Sequence, residues 1–443
     1  MIGITSLLLK LFDLILLEVS DPSLNPSHLQ FGFQKGLSTG LCTWSLTETV
    51  NYFRNRGSPV FLCLMDLSKA FDMVKLSILF RKLSGKVAPI FIRFLIYSYI
   101  NQECHVAWNG EKSTSFNAKN GVRQGAVASP ALFNVYINNL FEELSVSGYG
   151  CMINQLYFGA LGYADDIGLL APSRAALQKM VNICETFFKH HGIEISTNPD
   201  VRKTKTKIIV FGVDVQPAAI HLGIIPLPYV QTWKHLGHII CSDESSVHDL
   251  QEKRREIIGK LHSLRQELGK QDPSVYIKLI KIYILHLYGC TMWDIFSTDA
   301  VQLWTTWHRM IKSLFNLPLP THRYLINDLV DGDHLQKIIM KRFISFSDKI
   351  ACSKNPHLQL LHEVQGRDLR STYGRNRANI CRQAAVMDFQ QINIHNILVN
   401  PVPAGEEWRV GLLKDLLHER DNSFYNYLSE EEVSLLLQTV CCD

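Results

Sequence analysis

Asp165 and Asp166 stand side by side between two apolar runs, with Tyr157, Phe158, Ala160 and Leu161 before them and Ile167, Leu169 and Leu170 after. Apolar stretches around a short polar break predict a β-hairpin with the acids at its tip. Side chains alternate along a strand, so one acid faces a cleft while the other supports it from the turn. Carboxylates this close repel unless a cation neutralises them, and hard oxygen donors suit Mg²⁺. The plain alternative is a solvated Asp-Asp turn. A third acid changes that comparison. Asp66 ends the apolar run Val60–Met65, which reads as a buried strand delivering a carboxylate to the rim of a sheet. Its own plain alternative is an N-cap for a helix starting at Leu67-Ser68-Lys69. Together the three acids supply what two-metal phosphoryl transfer needs, with cations roughly 3.5–4 Å apart.

The elements that must position these acids follow from pattern. Residues 41–53, 68–83, 89–99 and 130–144 read as helices, the last with Pro130 in its first turn. Ser173 caps a helix running through Leu177, Val181, Cys184 and Phe188 to a stop at Gly192. Residues 193–196 and 207–211 read as strands. Ile4, Leu7, Leu8, Leu11, Ile15 and Val19 recur at helical spacing, predicting an N-terminal amphipathic helix that packs this face inward. Beyond about residue 212 the chain turns helical. Val247–Leu268 is a charged amphipathic helix with Leu250, Ile257, Leu261, Leu264 and Leu268 inward. A boundary is expected near Ile240.

The 443 residues are enough for two or three domains and a large core. A net charge of +4 permits an anionic partner without demanding one. Eleven cysteines without C-x-x-C spacing signal neither a zinc site nor a disulfide framework, which fits a reducing intracellular compartment, nuclear or cytoplasmic. The leucine-rich start is interrupted by Lys10, Asp13 and Glu18, so no secretory or transmembrane signal is expected.

Several segments together resemble the reverse transcriptases. Residues 61–72, around Asp66 and Phe71, resemble motif A of that family. Asn120-Gly121-Val122-Arg123-Gln124-Gly125 followed by Ser129-Pro130 resembles motif B, and Tyr163-Ala164-Asp165-Asp166 resembles motif C. His191-Gly192-Ile193-Glu194-Ile195 with Lys205-Thr206-Lys207 resembles motif D. Trp233-Lys234-His235-Leu236-Gly237 resembles the primer-gripping hairpin, and Gln34-Lys35-Gly36-Leu37-Ser38-Thr39 a fingers segment. The wording is most similar to non-LTR (LINE-type) retrotransposon enzymes, on the branch of chicken-repeat and Rex elements.

The resemblance implies an α+β right-hand polymerase. Its palm sheet is antiparallel, its partial fingers and palm fill residues 1–240, its helical thumb residues 241–320, and residues 321–443 form a helical region of unassigned role. Implied partners are an RNA template, a DNA primer or target and deoxynucleoside triphosphates, with no membrane and an open oligomeric state. Two Mg²⁺ ions, or Mn²⁺ in their place, would sit on Asp66, Asp165 and Asp166. Phe71 would lie against the sugar of the incoming nucleotide, leaving no room for a 2′-hydroxyl, although simple core packing also explains a ring there. Gln124, Gly125 and Ser129 would line the template and nucleotide pocket. Lys205 would approach the triphosphate and donate a proton to pyrophosphate, against the alternative of a solvated basic run over 202–207. Trp233, Lys234 and His235 would supply ring stacking and positive charge to the primer.

Departures from the family pattern are expected to matter. Ala126-Val127-Ala128 lacks motif B's second glycine, and Met73-Val74-Lys75 replaces an Arg-Val ending of motif A. Gly162 stands where a bulky residue is usual, which weakens a strand. No arginine-bearing segment precedes residue 1, which predicts an N-terminally truncated fingers region. The rival expectation is a remnant that binds nucleic acid without adding nucleotides.

Overall fold

Six consecutive apolar side chains, Val60–Met65 (β1), can only be stable if both faces of the strand are covered, and all six are buried. In the computed structural model β1 is an inner strand of a four-stranded sheet. The others are Ala160–Tyr163 (β2), Asp166–Ala171 (β3) and Lys207–Phe211 (β4), ordered β4-β1-β3-β2 with every pair antiparallel. The structure describes residues 6–20, 24–198, 200, 203–213, 217–268, 273–321, 326 and 335–385. The expectations placed on Ile4, Arg202 and residues 386–443 lie outside the described residues.

Helices hold the sheet in place. Leu7–Ser20 (α1), Thr39–Arg54 (α2), Leu76–Leu83 (α3) and Pro89–Ile100 (α4) precede Ser129–Val146 (α5), which packs on β2. Arg174–His191 (α6) covers β1 and β3. Ser173 accepts a hydrogen bond from the Ala176 amide at the start of α6, and Gly192 closes the helix with φ +72°, as the cap and stop residues predict.

Two helical expectations are corrected. The face of α1 expected to pack inward is the exposed one: Leu7, Leu8, Leu11, Ile15 and Val19 face solvent, while Asp13, Leu16 and Ser20 are buried. Leucine surrounds this helix on nearly every side, so periodicity does not single out a face. A specific contact chooses it instead, as the buried Asp13 carboxylate accepts from the Ala128 amide at 3.1 Å. The helix expected over 68–83 covers only Leu76–Leu83. Leu67–Ser68 pairs with Glu194–Ile195 as a short ribbon, and a turn follows it. No helix begins at Asp66, which removes the N-cap explanation for that acid.

Contacts divide the chain into two units. The first comprises Met1–Cys42 and Gly57–Gln231, the second Thr43–Arg56 and Thr232–Asp443. The division thus falls at 231/232, and the hairpin Thr232–His235 with His238–Cys241 belongs to the second unit. That unit is otherwise helical among its described residues. Val247–Leu268 (α7), Thr298–Leu314, Leu335–Ala351, Pro356–Gly366 and Thr372–Ala385 surround Trp293, Trp307 and Phe343. Leu250, Ile257 and Leu261 are buried as the pattern of α7 predicts, whereas Leu264 and Leu268 are half-buried. Its arginines work internally: Arg375 pairs with Asp294 at 3.2 Å, and Arg342 donates to the Leu285 and His286 carbonyls. No helix among the described residues is long and apolar enough to cross a membrane.

Candidate active site

The three acids meet at one end of the sheet. Met65 pairs with Ile167, so one further step in register sets Asp66 opposite Asp166. Tyr163 pairs with Asp166 across the tip of the β2–β3 hairpin, leaving Ala164 and Asp165 as a two-residue turn. Tight hairpin turns need positive φ, and Ala164 takes +57° there. The electrostatics follow from this placement. Burial pushes the Asp166 carboxyl up to about 6, with Asp165 and then Asp66 adding to the rise and Lys205 opposing it. Burial also raises Asp165; its backbone amide offsets part of that, and Asp66 adds to it.

Lys205 reaches this group. Its Nζ lies 3.9 Å from Asp66 Oδ2, and its side chain is mostly exposed. The strand-side loop that carries it is laced to Asp66: the Ser196 amide donates to the Asp66 carbonyl at 2.7 Å, and the Asp66 amide donates to Thr206 Oγ1 at 3.4 Å. Lys205 is thus exposed yet within ion-pair reach of Asp66, whereas Lys203 makes an exposed ion pair to Asp200.

The segments resembling motifs A and B are hydrogen-bonded together. The Val122 amide donates to the Phe71 carbonyl at 2.9 Å and the Gly121 amide to the Val74 carbonyl at 2.8 Å. Gln124 Nε2 donates to Asp72 Oδ1 at 3.0 Å. Phe71 stacks on Phe133 of α5 and meets the ring of Phe33 edge-on, with centroids 6.1 Å apart. Gly125 is exposed at the loop surface. Ser129 differs from expectation: it is buried, and its hydroxyl donates to the Arg123 carbonyl at 2.6 Å, so it braces the loop from within. The guanidinium of Arg123 is likewise engaged, with Gln102, the Ser98 carbonyl and the Tyr99 ring.

Among the described residues no group of three or more His, Cys, Asp or Glu side chains is disposed to hold a metal ion by itself. Asp66, Asp165 and Asp166 are therefore coupled through their charges but are not a preassembled cage, as mutual repulsion favours. The positive charge expected of the 233–237 hairpin is also reduced. Burial lowers His235 to about 4, leaving it neutral, and Lys234 is bound to Glu252 at 2.7 Å. Trp233 is half-buried on this hairpin, and Leu236 and Gly237 form its two-residue turn with φ of +47° and +83°. Tyr288 closes over that turn, its hydroxyl donating to the Leu236 carbonyl at 2.7 Å.

Sequence reasoning passed over Asp13, Asp72 and Gln30. The first anchors the loop before α5, the second receives Gln124, and the third hydrogen-bonds the Ala164 turn. Asp13 carried a readable signal, a carboxylate inside an otherwise apolar helix.

Residues 1–240 match the family model described as reverse transcriptase (RNA-dependent DNA polymerase). Among curated proteins, the chain is similar to the Pol polyprotein from the type-1 retrotransposable element R2 of Nasonia vitripennis, at 26% identity over 43% of this chain and 19% of that protein. It is similar to that of the type-2 element R2DM of Drosophila melanogaster, at 25% identity over 53% of this chain and 23% of that one. It also resembles the probable RNA-directed DNA polymerase from the Drosophila melanogaster transposon X-element, at 23% identity over 63% and 30%. The chain thus spans less than a third of the length of each of these relatives. Among solved structures, telomerase from Candida albicans with a fragment of telomeric RNA aligns with TM-score 0.37 and 12% identity, covering 80% of this chain and 58% of that one. With the family model covering more than half of its length, the chain belongs to the reverse transcriptase (RNA-dependent DNA polymerase) family, in its non-LTR retrotransposon division.

Proposed function

We propose that this chain is the RNA-directed DNA polymerase part of a non-LTR element, adding deoxynucleotides to a DNA primer along an RNA template. One observation carries the reading: Asp66, Asp165 and Asp166 share one end of the sheet, where burial and the neighbouring Asp66 charge raise the proton affinity of Asp165 and Asp166, with the Lys205 ammonium beside them. Such a site asks for cations. Reverse transcriptases use divalent metal ions, and the hard oxygen donors here suit two Mg²⁺, with Mn²⁺ as a substitute. Mg²⁺ is commonly held by one or two carboxylates plus substrate phosphates, so an incomplete protein cage suits it. When bound, the ions would activate the primer hydroxyl and stabilise the leaving oxygen.

The residues of the chain have distinct tasks in this reading. Asp66 and Asp165 hold the ions, and Asp166 assists from the first position of β3. Lys205 leaves Asp66 for the triphosphate and gives a proton to the departing pyrophosphate. Gln124, fixed by Asp72, and Gly125 border the nucleotide and template. The 232–241 hairpin offers Trp233 for stacking against the primer.

Primer extension on a homopolymer RNA with Mg²⁺, comparing the parent chain with Asp165→Ala, tests the assignment. Incorporation by the parent and loss in the variant are expected, and equal incorporation by both would sink it. A second reading, a nucleic-acid-binding protein without nucleotide addition, is motivated by Ala126, which stands where motif B usually has its second glycine. It predicts salt-sensitive binding to an RNA–DNA hybrid and no extension by the parent.

A further inference from the structure

The turn that carries Asp165 is held from outside its own hairpin. Ala164 takes a left-handed φ of +57°, uncommon for a residue with a Cβ, and its two neighbours in the chain are Tyr163 and the charged Asp165. Strain and like charge both act to relax such a turn. Gln30, 1% exposed, opposes them. Its Oε1 accepts from the Ala164 amide at 2.8 Å and from the Gly32 amide at 2.8 Å, while its Nε2 donates to the Ala164 carbonyl at 3.2 Å. One side chain therefore satisfies both backbone groups of the strained residue.

The segment around Gln30 is itself fixed. It runs along the free edge of β2, with the Phe31 amide donating to the Gly162 carbonyl at 2.7 Å and the Gly162 amide to the Leu29 carbonyl at 2.8 Å. Asn134 of α5 donates to the Gly32 carbonyl at 2.9 Å. Contact is close enough that a Cβ on Gly32 would collide with the Ala164 amide nitrogen. Only a primary amide accepts and donates at once in the manner used here. A carboxylate lacks the donor, and a thioether of similar length has no donor and is only a weak acceptor.

We infer that Gln30 is a positioning residue for the reaction, locking the Ala164 turn so that Asp165 points at the ion site; this rests on the polymerase reading above. It touches no substrate. Its role is to keep a carboxylate within the narrow tolerance that ligand geometry demands, where partners behind a ligand commonly govern affinity or activity by roughly 10–100-fold.

The test uses the full chain and two variants, Gln30→Met and Gly32→Ala. The first keeps the length of the side chain and removes its hydrogen bonds. The second leaves Gln30 intact and pushes the turn away. Three quantities are measured: the melting temperature, kcat and KM for the deoxynucleotide in primer extension, and binding of Tb³⁺, whose luminescence neighbouring tyrosines sensitise. Folded variants are expected to lose roughly 10–100-fold in Tb³⁺ affinity and in kcat, with KM within about threefold of the parent. A lowered melting temperature with unchanged kcat and Tb³⁺ affinity would reduce Gln30 to a structural brace and overturn the inference. If Gln30→Met does not fold, Gly32→Ala decides by the same criteria. A parent that extends no primer defeats the polymerase reading, and the Tb³⁺ titration then still judges Gln30. A parent that binds no Tb³⁺ overturns the inference itself.

Discussion

Phe71 and Phe133 lie face to face, with ring centroids 4.3 Å apart and planes 17° from parallel. Phe133 is fully buried on α5, so it is a fixed backing against which Phe71 cannot retreat. A ring backed in this way makes a rigid wall. If that wall lies against the sugar, Phe71→Val should admit ribonucleotides. Discrimination between deoxynucleotide and ribonucleotide, as the ratio of kcat/KM values, is expected to fall on the order of 10–200-fold. An unchanged ratio would assign Phe71 to packing alone.

Asp166 makes stability depend on pH. Its folded-state carboxyl titrates at about 6, above the roughly 3.9 of an unfolded aspartate, so between these values the folded chain binds more protons than the unfolded one. Stability is thus lost as pH rises from about 4 through about 6, because the folded state must carry a charge that burial and two neighbouring acids oppose. Asp166→Asn is expected to stabilise the metal-free chain above pH 7 by about 1–2 kcal/mol, allowing for water at a half-buried group, and to give no gain near pH 4. Urea unfolding at the two pH values measures this. Equal effects at both would show that the charge is not the cause.

Lys205 should matter to chemistry more than to binding of the template. Replacing it with Met removes the ammonium 3.9 Å from Asp66 while leaving the Thr204 and Thr206 hydrogen bonds in place. Loss of a general acid is worth roughly 10²–10⁴-fold in rate. Lys205→Met is therefore expected to lower kcat within that range, with unchanged affinity for the RNA–DNA hybrid. Single-turnover incorporation checks it, and a variant with parental kcat would return Lys205 to the solvated run.

Much of this was legible in the residues. The strands Val60–Met65 and Lys207–Phe211, the helix α7 and the cap and stop of α6 follow from pattern because burial on both faces, amphipathic spacing and turn chemistry are local properties. The meeting of Asp66 with Asp165 and Asp166 followed once each acid was placed at a strand end. What was not legible depended on distant partners. Gly162 reads as a weakness in its strand. In the fold it is required, because a Cβ there would run into the Phe141 ring, and the backbone on that side is paired to Leu29 and Phe31. The exposed leucines of α1 read as an inward face because nothing in their spacing foretells that Asp13 binds the Ala128 amide. His235 reads as a cation in sequence because its burial is set by packing, not by its neighbours in the chain.

The central place of β1 has a consequence for how the protein is made. Its two partners, β3 and β4, follow it by more than a hundred residues in the chain. Synthesis at roughly 5–20 residues per second leaves a wholly apolar strand waiting for many seconds before either edge can pair. Asp66 is among the earliest site residues to leave the ribosome, yet its surroundings are finished only when Lys207–Phe211 has docked. A product ending before that strand would carry all three acids and yet be adhesive, because the edge of β1 that Lys207–Phe211 covers would stay open. Assembly of the site is all or nothing, and chaperone demand during translation should concentrate on the interval between the first acid and the last strand.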